Sequence, residues 1–243
     1  MNAFSRREAL ATMSFSAATL ALADAKAAPV ASPIPPALAG KHEVAPLPFK
    51  AGSLHGLSER LITSHHDNNY ASAVKNLNRV EQELSRANKD TPPFLVAALR
   101  EKELTFRNSK SLHERYFANL GGDGKRSGPI EAALAEAYGS SAAWEEQFRA
   151  TGAGLGGGSG WVVLALELDG GALRTVGAGN HTQALAMSIP LFVMDMYEHA
   201  YQMDFGAAAA KYIDAFFANS NWSEVNRRLD HALAAVAWLG KSK

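Results

Sequence analysis

The pattern of apolar residues changes near residue 160, and this change limits the possible folds more than any other feature. Upstream, apolar residues recur at helical spacing, and Ser58 is a suitable N-cap for a helix over residues 59–87. Downstream, residues 161–168 and 190–195 are apolar runs of strand length, separated in part by a glycine-rich turn at Asp169. We therefore predict an α+β fold, with an N-terminal α-hairpin and a C-terminal three-stranded antiparallel sheet flanked by helices.

The remaining elements follow from the same patterns and from the positions of glycine and proline. Further helices are expected at residues 94–99, 111–119, 129–138, 142–150, 198–204, 207–217 and 223–239, with a return strand at residues 172–176. The predicted organisation is a signal segment (1–27), a Pro/Ala-rich linker and leading segment (28–48), an N-terminal α-hairpin domain (49–122) and a C-terminal α/β domain (123–243).

Composition excludes several classes of function. The chain has 24 basic and 24 acidic residues, so it has no overall positive charge for nucleic acid, and we expect no nucleic-acid partner. It has no cysteine, which excludes disulfides, zinc–thiolate sites and thiol nucleophiles. Any metal ion must therefore be bound by nitrogen and oxygen atoms.

The first 27 residues have the three regions of an export signal. Arg6 and Arg7 form the twin arginine of a Tat-type signal, a weakly apolar run covers residues 10–23, and small residues follow at Ala25 and Ala27. The run is too short and too rich in Ala, Ser and Thr to span a bilayer, so no stable membrane insertion is expected. We predict export by the Tat machinery to the periplasm. A basic tail without a targeting role is the alternative.

Four residues far apart in the sequence can bind a metal ion if the fold brings them together: His65, His113, Asp195 and His199. A histidine on the apolar face of a helix is, however, more often a hydrogen-bonded core residue than a ligand. Asp195 ends an apolar strand, where a buried carboxylate needs a positive partner or a metal ion. The same Asp195 and His199 are also spaced as an ordinary pair four residues apart. Spacing alone leaves both interpretations open.

The motifs around these residues resemble the iron/manganese superoxide dismutases. The resemblance runs from about residue 46 to the C-terminus, and the Asp195 block and the Gly-Ser-Gly-Trp segment are its most specific parts. The motifs occur in the order of that family: Leu57-Ser58, His65, Asn76-Leu77-Asn78, His113, Gly158-Ser159-Gly160-Trp161, Asn180-His181, Asp195-Met196-Tyr197-Glu198-His199-Ala200-Tyr201 and Asn221-Trp222.

The resemblance implies a metal centre and a reaction. His65, His113, Asp195 and His199 would coordinate one iron or manganese ion per subunit, with a solvent molecule as fifth ligand. The substrate would be the superoxide anion, converted to dioxygen and hydrogen peroxide by alternate reduction and oxidation of the ion. A homodimer or homotetramer is implied as well.

Other residues of the site receive roles from the same resemblance. His181 takes the position whose side chain hydrogen-bonds the solvent on the metal, and Trp161 resembles the aromatic residue that walls the site. Glu198 resembles the carboxylate that reaches His199 of the partner subunit, and Tyr201 matches the interface tyrosine of the family. His181, Trp161 and Glu198 each have a simpler explanation as well, as a loop histidine, a core tryptophan and a surface acid at a helix start.

The chain departs from the family pattern where substrate enters. Family members usually carry His four residues, and Tyr eight residues, after the first ligand, whereas this chain has Asn69 and Ala73. Asn69 can hydrogen-bond Tyr201 across an interface but cannot titrate, and Ala73 has no polar group. Tyr70 is close in sequence but lies about 60° from residue 73 around the helix.

These changes affect proton transfer and access more than metal binding. We therefore expect a working dismutase with altered product inhibition or pH dependence. The second interpretation is an exported metal-binding protein of the same fold with weak or no dismutase turnover.

Overall fold

The structure, a computed structural model, describes residues 34–240. The predicted signal segment and the first residues of the linker lie outside the described residues. No helix within residues 34–240 is both long enough and apolar enough to cross a membrane.

The described elements confirm the predicted order of helices, strands and helices. The helices are α1 (Glu59–Ser64), α2 (Ala71–Arg86), α3 (Pro93–Ala118), α4 (Pro129–Tyr138), α5 (Ser141–Leu155), α6 (Gln202–Phe205), α7 (Ala209–Ala218) and α8 (Trp222–Gly240). The strands are β1 (Trp161–Glu167), β2 (Leu173–Ala178) and β3 (Ser188–Asp195), and short 3₁₀ turns occur at Pro36–Leu38, Ala51–Ser53 and Glu198–Ala200.

The first predicted helix is present but is interrupted by a turn of different geometry. Ser58 caps α1, since its Oγ accepts a hydrogen bond from the Leu61 N–H at 3.0 Å. Between α1 and α2, residues His65–Tyr70 form a π-helical turn. Such turns occur often at functional sites. Nothing in the local sequence distinguishes this turn from an ordinary helix.

The prediction of two helices at residues 94–99 and 111–119 is wrong, because the structure has one continuous helix, α3. The intervening stretch lacks apolar periodicity because much of it faces solvent. Charged pairs at helical spacing replace that periodicity: Glu103 accepts from Arg100 at 2.7 Å and from Arg107 at 3.2 Å. The stretch also contains no glycine or proline to end the helix.

The three strands form the predicted antiparallel sheet in the order β2-β1-β3. β1 is the central strand and is buried over its first six residues, and α3, α5 and α8 pack against the sheet. Trp161 at the start of β1 pairs with Asp195 at the end of β3. The sheet register therefore places two of the predicted site residues side by side.

The helical hairpin and the sheet share one hydrophobic core. Ile62 and Phe117 of the helical half belong to the same buried cluster as Trp144, Phe192 and Phe216. The predicted segments 49–122 and 123–243 therefore pack, over their described residues, as parts of a single compact unit.

Candidate metal centre

Four different local structures carry the four candidate ligands. His65 opens the π-helical turn, and His113 lies near the C-terminal end of α3. Asp195 is the last residue of β3, and His199 lies in the 3₁₀ turn that follows directly. The fold thus supplies two ligands from the helical hairpin and two from the end of the sheet.

The four side chains converge on one point. The Nε2 atoms of His65, His199 and His113 lie 3.1, 3.3 and 3.6 Å from Oδ2 of Asp195. One donor atom from each residue lies within 4.8 Å of all the others. Ligands held roughly 2.1 Å from a shared ion are themselves about 3 to 4 Å apart, so this spacing fits a single ion.

Burial and electrostatics keep the ligands in the forms that bind metal. Burial lowers the pKa of His65, and it lowers the pKa of His113 to about 3. Burial alone would raise the pKa of Asp195, but contacts with His199 and His65 outweigh it and hold the pKa of this carboxyl below its usual range. Neutral imidazoles beside an anionic carboxylate are the ligating states of these groups.

Two of the converging nitrogen atoms lack a hydrogen-bond partner. Nδ1 of His113 donates to the Ser109 carbonyl at 2.7 Å, which leaves a lone pair on Nε2 facing Asp195. Within residues 34–240, the buried Nε2 atoms of His113 and His199 have no hydrogen-bond partner. Buried polar atoms without partners are costly, and the Nε2 lone pair of His113 is repelled by the carboxylate that it faces. A cation among the four donors removes both penalties, so these residues fit a metal ion.

The metal-free protein is expected to lose stability as the pH falls from 7 to 5. A histidine with a lowered pKa in the folded state binds protons more readily when unfolded, so acid favours unfolding below the unfolded pKa of about 6.5. With a folded pKa of about 3, His113 alone should lower the free energy of unfolding by about 2 kcal/mol over this range. Urea unfolding of metal-free protein at both pH values measures the change. Equal midpoints with equal slopes would contradict it, and His113→Gln should show a weaker pH dependence.

Backbone and side-chain contacts fix the orientation of Asp195. Its Oδ1 accepts from the Tyr197 N–H at 2.8 Å, so Oδ2 is the oxygen left to face the histidines. The Tyr212 hydroxyl donates to the Asp195 carbonyl at 2.7 Å. Sequence reasoning missed Tyr212, because it lies on α7 and its spacing from Asp195 gives no signal of contact.

Trp161 and His181 form a connected pair beside the ligands. The Trp161 indole N–H donates to Nδ1 of His181 at 2.9 Å, which requires the neutral His181 ring to carry its proton on Nε2. Burial lowers the pKa of His181, which favours this neutral form. The His181 ring stacks on Tyr197 at 4.8 Å, and Trp161 contacts the His113 ring edge-on at 5.1 Å.

The His181 backbone is also fixed, by a residue that sequence reasoning missed. The Asn108 side chain on α3 donates to the His181 carbonyl at 2.7 Å. The structure therefore places Trp161 and His181 beside the four candidate ligands, and it adds Asn108 as the contact that holds the His181 backbone.

Glu198 and His199 both reach the surface of the described chain. Glu198 is exposed, and its carboxylate makes no hydrogen bond or ion pair with the described residues. The His199 side chain is 27% exposed, whereas the other three ligands are buried. The metal centre is therefore open to the outside of the described chain on the His199 side.

The prediction that Tyr201 lies at an interface is wrong. Tyr201 is 1% exposed, and its hydroxyl accepts from the Gly157 N–H at 3.0 Å within the same chain. It stacks on Tyr212 at 5.2 Å, because it packs into the core behind the ligands. The neighbouring Gln202 is exposed instead, and Asn69, which is partly buried, makes no side-chain hydrogen bond to the described residues. A contact between Tyr201 and Asn69 of a second subunit is therefore excluded by the position of Tyr201.

The structure also locates Ala73, which stands where the family usually has tyrosine, and Tyr70, which is close to it in the sequence. Ala73 is buried, with 4% exposure. Tyr70 does not replace the missing group, since its hydroxyl donates to Glu114 at 2.7 Å and accepts from the Ala45 N–H at 2.9 Å. Its phenol is thus fully engaged by protein groups.

Fold and site together define an α+β unit in which three imidazoles and one carboxylate converge as a group suited to hold one metal ion. Comparison with known proteins gives the family. Residues 126–228 match the family model described as "Iron/manganese superoxide dismutases, C-terminal domain". The chain belongs to the iron/manganese superoxide dismutase family, as the sequence motifs predicted.

Curated relatives extend the match over most of the chain. The chain is 42% identical to "Superoxide dismutase [Fe]" of Cupriavidus metallidurans over 193 residues, which is 79% of this chain and 98% of that protein. It is 32% identical to "Superoxide dismutase [Fe]" of Aquifex aeolicus, covering 81% of this chain and 95% of the relative. It is 31% identical to "Superoxide dismutase [Mn] 2" of Haloferax volcanii, and the match covers 79% of this chain and 97% of that protein.

Proposed function

We infer that this protein is a superoxide dismutase that uses one iron or manganese ion per subunit. The convergence of His65, His113, Asp195 and His199 on one point carries this conclusion. An ion held by these four residues would supply the one-electron redox chemistry that converts two superoxide anions and two protons to one dioxygen and one hydrogen peroxide.

The residues of the chain hold the ion and set its charge environment. Asp195 contributes a fixed negative charge, because Tyr197 and Tyr212 hold it in one orientation. His113 contributes a neutral nitrogen in a fixed tautomer, because Nδ1 is committed to the Ser109 carbonyl. An anionic ligand favours the more highly charged metal state, so Asp195 would lower the redox potential of the bound ion.

His181 is proposed as the proton donor nearest the reacting molecules. Formation of hydrogen peroxide needs two protons, and a hydrogen-bond donor must face the open side of the ion to deliver them. The hydrogen bond from Trp161 puts the His181 proton on Nε2, and stacking on Tyr197 fixes the ring plane. This rigid donor supports a role in turnover, because a protein that only stores metal needs no such group.

Stopped-flow decay of superoxide tests the activity. Protein loaded with iron or with manganese should remove superoxide much faster than the same concentration of the free aquo-ion. A rate no better than that of the free ion would refute the dismutase assignment. The weak-turnover alternative gains no support from the comparisons, since the matched relatives are named as dismutases.

A dimer is proposed on the exposed side of the metal centre. His199 uses Nε2 toward Asp195, and its Nδ1 has no hydrogen-bond partner among residues 34–240. The exposed Glu198 carboxylate beside it is equally without a partner in the described chain. In a two-fold dimer, Glu198 of each subunit can accept from Nδ1 of the partner's His199, which would satisfy both groups and orient a ligand.

Sedimentation equilibrium tests the dimer. Wild-type protein and the matched variant Glu136→Gln, which changes another exposed acid, should sediment as dimers. Glu198→Gln should shift the equilibrium toward monomer and weaken metal retention. A monomeric wild-type protein would contradict the proposed interface.

Export by the Tat pathway to the periplasm is proposed from the sequence alone. Arg6 and Arg7 precede an apolar run and small residues suited to cleavage. Tat export carries folded proteins, so the metal can be inserted in the cytoplasm, where supply decides which of several similar ions is bound. Fractionation of a bacterium expressing the full chain should find processed protein in the periplasm, and replacement of both arginines by lysine should abolish this. Unprocessed protein confined to the cytoplasm would refute the proposal.

A further inference from the structure

A short segment ahead of the first helix is joined to the helical half of the chain by six hydrogen bonds. We call residues 40–45 the strap. Asn78 on α2 accepts from the His42 N–H at 2.8 Å and donates to the His42 carbonyl at 2.9 Å. Buried Glu81 accepts from the Gly40 N–H at 2.9 Å and contacts His42 Nε2 at 2.7 Å.

The far end of the strap reaches the turn that carries the first ligand. Nε2 of His66 lies 2.9 Å from the Ala45 carbonyl, and the Ala45 N–H donates to the Tyr70 hydroxyl at 2.9 Å. His66 directly follows His65, and Tyr70 closes the π-helical turn that begins at His65. The strap therefore contacts this turn near its start and at its end.

Tyr70 extends these contacts to the second ligand-bearing helix. Its hydroxyl donates to Glu114 Oε1 at 2.7 Å, and Glu114 directly follows His113 on α3. Lys110, one turn earlier, holds the same carboxylate oxygen at 2.8 Å. Tyr70 is 1% exposed, so the phenol end of this bridge is shielded from competing water, whereas the Glu114 carboxylate is partly exposed.

We propose that Tyr70 is a positioning residue for the metal centre, which locks the turn bearing His65 against the helix bearing His113 through Glu114 and the strap. The proposal rests on the metal centre of the proposed function. The Tyr70 ring lies beside the His113 ring, with centroids 6.2 Å apart, and its hydroxyl acts on the supports of the converging donor atoms. His65 lacks any hydrogen bond on Nδ1 within residues 34–240, so the geometry of its turn decides where its ring lies.

The chemistry of the bridge suits a permanent hydrogen bond. Burial, together with the Glu114 carboxylate, raises the pKa of Tyr70 to about 12, so the phenol stays protonated and donates at any physiological pH. A hydrogen bond to a charged acceptor is among the stronger ones in proteins. Its loss should loosen two of the four ligands together.

Release of metal from the loaded protein to a chelator tests this role without any superoxide. Tyr70→Phe removes only the hydroxyl, and Tyr138→Phe is the matched control, because the Tyr138 hydroxyl lies 3.1 Å from Thr175 Oγ1, away from the site. Substitution of a residue that supports a metal ligand typically lowers metal affinity by about 10- to 100-fold. We therefore expect Tyr70→Phe to release metal at least about 10-fold faster than wild type. The electron paramagnetic resonance spectrum of the bound ion should change in Tyr70→Phe and not in Tyr138→Phe.

Two further variants make the outcome decisive. Glu114→Gln keeps an acceptor for the phenol and should retain metal nearly as well as wild type, whereas Glu114→Ala should behave like Tyr70→Phe. Combining Tyr70→Phe with Glu114→Ala should add little to either change alone. Equal rates of metal release from Tyr70→Phe and Tyr138→Phe would overturn the proposal. If Tyr70→Phe does not fold, a Glu114→Ala protein that releases metal at the wild-type rate would overturn it instead. The chelator experiment measures metal release and not activity. Its results therefore do not depend on whether the protein converts superoxide.

Discussion

Asp195→Asn should abolish dismutase activity and remove most of the bound metal. The substitution keeps the size of the side chain but removes the only negative charge among the four donors. Changes to residues that merely support ligands cost about 10- to 100-fold in affinity or activity, so loss of a charged ligand should exceed about 100-fold. Metal content after dialysis against a chelator, measured by mass spectrometry, and stopped-flow superoxide decay both report the effect.

Asp214→Asn is the matched control for this experiment. Asp214 is exposed on α7 and pairs with Arg149 at 2.8 Å, so its loss should cost no more than about 1 kcal/mol of stability. The control should retain metal and activity. An Asp195→Asn protein that keeps a full complement of tightly bound ion would contradict the assignment of Asp195 as a ligand.

His181→Ala should separate turnover from metal binding. The ring that accepts the Trp161 hydrogen bond and presents Nε2 as a donor is lost, while the four ligands are unchanged. We expect full metal content with activity reduced about 10- to 100-fold, the range typical of residues that contact ligands indirectly. The ratio of activity to bound metal, measured on the same sample, gives the result.

Two comparisons sharpen the His181 experiment. His231→Ala changes an exposed histidine on α8 and should leave the ratio unchanged. Trp161→Phe removes the N–H that donates to His181, together with part of a buried ring that contacts His113. The share of its effect that acts through His181 should be absent once His181 is replaced. A His181→Ala protein with the activity per metal of wild type would show that this side chain has no part in turnover.

The sequence was sufficient to select the four residues that the structure brings together, because a specific block contains two of them and the order of the family motifs points to the other two. Asp195 and His199 share one short block at a strand end, and the apolar run before them made β3 recognisable. The change from helical to strand periodicity predicted the α+β fold for the same reason, since each period shows directly which face is buried.

Other features could not be predicted because they depend on contacts between distant segments. The π-helical turn at His65–Tyr70 has no local sequence signal, and the middle of α3 was missed because its charged, solvent-facing residues carry no apolar period. Tyr201 was misplaced because a motif gives a residue's position in the chain, whereas the hydrogen bond to Gly157 that turns it inward joins two separate elements.

The bridge through Tyr70 illustrates the same limit at the site itself. Neither Tyr70 nor Glu114 stood out in the sequence as a partner of the other, because they lie on different elements of the helical half. Only the packed hairpin shows that each sits close to a ligand. Residues that support ligands are therefore harder to infer from sequence than the ligands they support.

Anomalous X-ray diffraction from crystals of the metal-loaded protein tests the central claim most directly. Data collected at the iron or manganese absorption edge should show one metal peak per chain, bonded to the side chains of His65, His113, Asp195 and His199. A peak elsewhere in the chain, or an ion at this position bonded to fewer than these four residues, would contradict the account.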